Sequence, residues 1–208
     1  MSILSQLASE QGINSTEPNK LLAKKLVAEK DVKGIKELAD NLSNKKQRIQ
    51  SDCIKTLYEA GELAPELIAP HADTFIQLLD STNNRMVWGA MTALSACAPL
   101  VAPKLYKVIA RIVDIADKGT VITRDHAVNI LVSLSAHKAY APDALPLLLE
   151  QILAAPVNQM PTYAEKTATV IDAAHKEQLL DVIRKRLPDI EGDAKLKRLA
   201  KVMKKLSA

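Results

Sequence analysis

Four stretches of this chain repeat one another at a spacing near 40 residues. "RIQSDCIKTLYEAGELAP" (48–65), "RMVWGAMTALSACAPLVAP" (85–103) and "HAVNILVSLSAHKAYAP" (126–142) align with Leu57, Leu94 and Leu134 in one position, at spacings of 37 and 40. A fourth copy, "TYAEKTATVIDAAHK" (162–176), puts Ile171 in that place 37 residues further on. A period near 40 with helical patterning is the signature of a two-helix solenoid. Each helix pair buries its apolar face against its neighbours, so the stack forms one continuous core.

Turn chemistry divides each repeat into a first helix, a short polar turn and a second helix. "PELIAPHADTFIQLLD" ends at "STNN", whose Ser, Thr and Asn side chains can accept the free N–H groups of the next helix. In the second helix that follows, Val87, Ala90, Met91, Leu94 and Ala98 form an apolar stripe at helical spacing. The same division predicts pairs over 31–42 with 45–60, 65–80 with 84–97, 103–117 with 121–137, 142–155 with 161–174, and 176–187 with 193–206. A lone helix over 18–29, opened by Thr16 and Pro18, would cap the first pair.

The stretch "FIQLLDSTNNRMVWGAMTALSA" resembles a HEAT repeat in its "LL-D-turn-R" junction and "A-x-x-AL" second helix. Weaker junctions of the same kind are "ELADNLSNKKQRIQSDCIKTL" and "IVDIADKGTVITRDHAVNIL". The resemblance covers roughly 31–206 and is poorest in the fourth and fifth pairs, which lack the junction Asp and Arg. It implies an all-α, right-handed alpha-alpha superhelix of the armadillo type: about five helix pairs and the N-terminal cap helix. Residues 1–17 are expected to form a partly flexible arm and 18–208 a single HEAT-like repeat domain. It further implies that second helices line the concave face, from which partners are read.

Composition agrees with helices. Of 208 residues, 48% are apolar but only 3% aromatic, with one Trp and one Phe, which favours helix over sheet. The opening residues lack a basic segment followed by a long apolar core, and no apolar run approaches the ~20 residues a membrane span requires; a cytoplasmic protein is expected. Cys53 and Cys97 lie in helical apolar patterns without metal-ligand spacing and read as reduced core residues. The net charge of +4 is uneven: residues after 183 sum to +6 and the rest to −2.

The period places concave-face side chains in rows. These are Arg48, Arg85, Asp125 and Thr162; Ser51, Trp88, Val128 and Glu165; Asp52, Gly89, Asn129 and Lys166; and Lys55, Thr92, Val132 and Thr169. Both charge signs mix with small residues, whereas a groove that tracks phosphates should repeat Lys or Arg between aromatics. Arg48, Arg85 and Arg124 follow Asp40, Asp80 and Asp117, and in HEAT-like proteins such pairs build a ladder between repeats; a ligand-facing role is the alternative reading. Trp88 falls outside the best apolar stripe, one turn from Arg85, where a ring suits either recognition or packing between second helices. His126 and Asn129 share a face beside Arg124 and Asp125, while His71, His137 and His175 sit near helix ends. No metal-binding, phosphate-loop or nucleophile motif is present, so no catalytic residue, metal ligand or cofactor is assigned. In the C-terminal helix Leu196, Leu199, Ala200, Met203 and Leu206 share one side, and the basic residues Lys197, Arg198, Lys201, Lys204 and Lys205 read as a capping surface or a docking patch.

Together these features favour a non-catalytic scaffold that binds a protein partner on its concave face, through Arg48, Lys55, Arg85, Trp88, Arg124, Asp125, Asn129 and Lys166, with the basic tail as a second contact. The alternative is nucleic-acid binding. DNA alkylation-repair glycosylases are built from HEAT-like repeats, and that resemblance would give roles to Trp88, Arg124 and Asp125. It also implies a basic, aromatic-lined cleft that these rows do not supply.

Overall fold

The computed structural model describes residues 2–207. Helices and turns make up the described residues, which contain no strand. The chain packs as two compact units, one ending at Val108 and the other starting at Ile109.

In the N-terminal unit a short 3-10 turn (Ile3–Gln6) leads to the cap helix α1 (Glu17–Ala28), followed by α2 (Val32–Asp40), α3 (Gln47–Leu63), α4 (Pro65–Ile68), α5 (Ala72–Leu78), α6 (Asn84–Ala96) and α7 (Ala102–Lys107). Polar caps set the starts. Asp31 accepts from the Gly34 N–H at the head of α2, and Asn83 from the Arg85 N–H at the head of α6. Helices α1, α3 and α6 lie side by side as an inner layer, with α2, α4 and α5 packed outside. Leu22, Leu26, Ile35, Leu38, Leu57, Phe75, Met91 and Leu94 are buried between the layers; full burial of such side chains stabilises by roughly 1.5–3 kcal/mol each. Helices α3 and α6 approach closely at Gly89, where a Cβ would come within 2.6 Å of Ile54 Cγ1. Only a residue without a side chain lets α6 sit this near α3.

The arm before α1 is packed. Leu7 is fully buried, and the Asp52 carboxylate of α3 accepts from the Ser9 N–H at 2.8 Å and from Asn19 Nδ2 of α1 at 2.7 Å. Asn19 Oδ1 in turn accepts from the Ala8 N–H at 3.0 Å. A buried acid, a buried amide and two backbone donors thus satisfy one another and tie arm, cap helix and first repeat together.

The C-terminal unit contains α8 (Ile109–Lys118), α9 (Val121–Ser135), α10 (Ala141–Leu153), α11 (Met160–Thr167), α12 (Lys176–Arg186) and α13 (Asp193–Leu206). Helices α9, α11 and α13 form its inner layer and α8, α10 and α12 its outer one. Its core gathers Val128, Leu131, Leu148, Ile152, Met160, Tyr163, Leu179, Ile183, Leu199 and Val202. The carboxyl end of α10 is closed by Arg186, whose guanidinium donates to the carbonyls of Leu153, Ile152 (3.4 Å) and Ala155 (2.9 Å) while its Nε holds Asp189 at 2.9 Å. Carbonyls that a helix end leaves without partners are thereby satisfied from the following repeat.

Three predicted helices differ from expectation, the first being 65–80, which the 3-10 turn Ala69–His71 divides into α4 and α5. The predicted helix 103–117 is interrupted at Val108, where φ is −118° and ψ 18°; the adjacent β-branched Val108 and Ile109 fit a continuous helix poorly. The predicted helix 161–174 stops at Thr167, and Ile171 lies in the turns beyond it. There Thr167 and Thr169 turn their hydroxyls back onto the carbonyls of Tyr163 and Lys166, competing with helix propagation. In α13 the buried side is Leu199, Val202 and Leu206, whereas Leu196 and Ala200 face solvent. In α6, packed against both α3 and α5, the buried sector widens to include Met86 and Ala93, beyond the expected stripe.

Candidate functional site

The inner layers of the two units carry the residues expected to bind, and the two treat them differently. In the C-terminal unit nearly all are engaged with a neighbouring helix. Asp125 accepts from the Tyr163 hydroxyl at 2.5 Å, and burial followed by that carboxylate pushes the phenol well above its usual range. Lys166 Nζ donates to Asn129 Oδ1 at 2.5 Å, two residues that the period puts in one row. Arg198 closes the same face: it donates to both Glu165 oxygens, at 2.7 and 2.6 Å, and to Thr162 Oγ1 at 2.9 Å. The bidentate guanidinium holds the Glu165 carboxyl below the ordinary carboxylate range.

Arg124 is likewise committed. It donates to the carbonyls of Ala154 at 2.8 Å and Ala116 at 3.4 Å and stands 3.9 Å from Asp117, which itself accepts from Gln151. At this junction the expected arginine ladder is present, but it runs mainly to backbone carbonyls. The two groups that a glycosylase-like chemistry would have needed, Arg124 and Asp125, are both engaged inside the fold. His126, on the same helix, is half-buried, and that burial lowers its pKa.

In the N-terminal unit neither Arg48 nor Arg85 builds such a ladder among the described residues. Asp40 pairs with Lys36 within its own helix, and Arg48 and Arg85 are exposed and make no ion pair among the described residues. Arg85 instead lies over the Trp88 ring, 5.9 Å from its centroid. Trp88 is half-buried and tilted at 50° against Tyr58 of α3, centroid to centroid 6.3 Å. Lys55 Nζ stands 4.6 Å above the Tyr58 ring and pairs with Glu59. Burial opposes the charge on Lys55, but Glu59 and Tyr58 outweigh it and hold the pKa above its ordinary value. Cation, ring, ring and cation thus follow one another across α3 and α6, and Trp88 both packs against a neighbouring helix and keeps an edge in solvent. Tyr58 was not singled out from sequence; its place three residues after Lys55 on the same helix face was the available signal.

Beside this cluster opens a cleft of about 810 Å³. One wall is the arm, with Ala8, Ser9 and Gly12 to Thr16; the other is the first turns of α3 and α6, with Gln47, Arg48, Ser51, Asp52, Asn83 and Arg85. A cleft of this size falls in the range that ligand sites occupy. No sequence feature indicated that the arm would supply a wall. A second cleft, of about 640 Å³, lies in the C-terminal unit among Ser135, Leu145, Val170, Asp172 and His175, with His175 Nδ1 2.6 Å from Asp172. Of the basic tail, Lys197, Lys201, Lys204 and Lys205 are exposed, whereas Arg198 is spent on Glu165.

Cys53 and Cys97 are buried free thiols, with pKa values pushed by burial to about 12 and about 11. Among the described residues no group of His, Cys, Asp and Glu side chains could hold a metal, and no helix is long and apolar enough to cross a membrane.

No protein-family model matches the sequence, and no curated protein is similar enough to count as a match. Solved structures do match over the whole chain. A designed armadillo repeat protein in complex with the peptide (KR)4 superposes with a TM-score of 0.73 at 15% identity, covering 98% of each chain. Computationally designed armadillo repeat proteins for modular peptide recognition give 0.69 at 13% identity, again over 98% of each. An engineered protein from the Northeast Structural Genomics Consortium gives 0.67 at 16% identity, over 100% of this chain and 97% of that one. Likeness at such low identity speaks for fold alone; the chain is an all-α helical-repeat solenoid of the armadillo and HEAT kind.

Proposed function

We propose that the chain is a non-catalytic binding module of the cytoplasm that takes a protein partner on the α3–α6 face of its N-terminal unit. The observation that carries this reading is the Lys55–Tyr58–Trp88–Arg85 cluster beside an open cleft. Tryptophan, tyrosine and arginine are the residues in which binding energy concentrates at protein interfaces. Here a tryptophan keeps an exposed edge, and the arginine over it has no carboxylate among the described residues to hold it in place. Two designed solenoids of similar fold are described as peptide-binding or made for peptide recognition, which agrees with a protein partner. The mixed charges along the inner helices suit a partner with complementary patches better than a uniform polyanion.

The test compares Trp88→Ala and Arg85→Ala with the parent chain as bait. A partner retained by the parent and lost by both variants, while their melting curves stay close to the parent's, supports the reading. Equal retention by all three removes this face from consideration. A large loss of stability in Trp88→Ala, with partner retention unchanged in Arg85→Ala, assigns the ring to packing.

A further inference from the structure

Resting on the binding-module reading, we infer that the cleft between the arm and the first turns of α3 and α6 takes an acidic peptide segment, recognised through its carboxylates by Arg48 and Arg85. Several observations converge. Both guanidiniums line the cleft, are exposed and lack an ion-pair partner among the described residues; elsewhere in the chain, Arg184, Arg186 and Arg198 all hold carboxylates. An arginine fork is built to hold a carboxylate through two parallel hydrogen bonds. The one carboxylate in the lining, Asp52, is buried, and its two oxygens accept from Ser9 and Asn19, so it is engaged within the fold rather than with either arginine.

The backbone adds to the same sign. Helix α3 begins at this cleft, through Gln47, and has no side-chain cap on its first N–H groups. Those donors and the helix dipole favour an anion. Ser9 also lines the wall, with its Oγ shielded from solvent and without a hydrogen-bond partner. The aromatic pair gives the occupant its apolar footing: Arg85 both lines the cleft and covers Trp88, so a peptide whose carboxylate meets Arg85 lies beside the ring.

A peptide fits better than a nucleic acid because the cationic row is short. The positions corresponding to Arg48 and Arg85 in the next two repeats are Asp125 and Thr162, and Lys166 is bound to Asn129. Polynucleotide binding requires many phosphates to be met along the backbone; two guanidiniums meet two carboxylates.

Trp88, the sole tryptophan, reports occupancy directly. The full chain is titrated at low and moderate salt with an octamer of glutamate, with the (Lys-Arg)4 peptide, with a Gly-Ser octamer and with a short DNA duplex, following Trp88 emission and peptide anisotropy. The expected result is saturable binding of the glutamate octamer, weakened roughly tenfold or more by Arg48→Ala or Arg85→Ala, as loss of a charge-assisted pair should do. Replacing Lys118, an exposed lysine paired with Asp114, by Ala should leave it unchanged. Arg48→Glu with Arg85→Glu should transfer preference to (Lys-Arg)4, a gain that unfolding cannot mimic. Tighter binding of (Lys-Arg)4 or Gly-Ser by the parent chain, with a Trp88 response, overturns the acidic assignment and leaves the binding face standing. Tighter binding of DNA overturns both in favour of a nucleic-acid ligand. Glutamate binding indifferent to Arg48 and Arg85 overturns the cleft. No response from any probe, with partner capture in the preceding test still dependent on Trp88, overturns the acidic assignment alone.

Discussion

The inner layers of the two units are built from the same repeat, yet they dispose of their polar side chains in opposite ways. In the C-terminal unit Asp125, Asn129, Glu165, Lys166 and Arg198 pair across neighbouring helices. In the N-terminal unit Arg48 and Arg85 reach solvent without ion pairs among the described residues, and the neighbouring acid, Asp52, is taken up by the arm and α1. The lesson is that a position in a repeat does not by itself define a binding surface. What matters is whether the residue one repeat on supplies a complementary group, because a satisfied pair is structure and an unsatisfied one is available to a ligand.

On this contrast, stability should respond to the C-terminal network and hardly at all to the N-terminal arginines. The largest effect is expected from Arg186→Ala, which removes the cap on α10 and should cost about 2–4 kcal/mol in urea unfolding. Asp125→Ala follows. It leaves the Tyr163 hydroxyl of a buried residue without its acceptor, at a cost of roughly 1–3 kcal/mol, and Tyr163→Phe in the same background should restore part of it.

Acid should weaken both units through their histidines. Burial lowers the pKa of His126 and of His71 from the ordinary 6.5, so as pH falls through that value the unfolded chain takes up protons first and stability drops until the folded pKa is passed. Melting temperatures followed downward from pH 7 should show the decline, and His126→Gln should flatten part of it. The smallest effect is the sharpest check. Arg48→Ala and Arg85→Ala should each change unfolding free energy by no more than about 0.5 kcal/mol, as exposed side chains without ion pairs do. A loss above about 1 kcal/mol would mean that these arginines are structural and that the contrast between the units fails.

Much of the architecture was legible in the sequence. The spacing of Leu57, Leu94 and Leu134, with Pro and Asn at the turns, located the cap helix and the paired helices, because apolar period and helix caps are local signals. What failed was also local in origin but subtler: Thr167, Thr169 and the Val108–Ile109 pair end or interrupt helices through side-chain chemistry that an apolar period does not register. The rows found Asn129 beside Lys166, since both lie at one repeat's remove. They missed Tyr58 beside Trp88 and Arg198 beside Glu165, where the register departs from the repeat. The arm's packing was not legible, because the contacts that hold it, among them Ser9 with Asp52 and Ile3 with Glu37, join residues 43 and 34 apart in sequence.

The Arg186 cap has a consequence for how the C-terminal unit opens. Repeat arrays can fray from an end, each pair leaving its neighbour intact. Here the last turn of α10 draws its hydrogen-bond donors from a side chain at the end of α12, so α12 cannot detach without exposing the carbonyls of the repeat before it. The amides of α12 and of the carboxyl end of α10 should therefore exchange with solvent at a common rate, as one cooperative block, and Arg186→Ala should split that block into two.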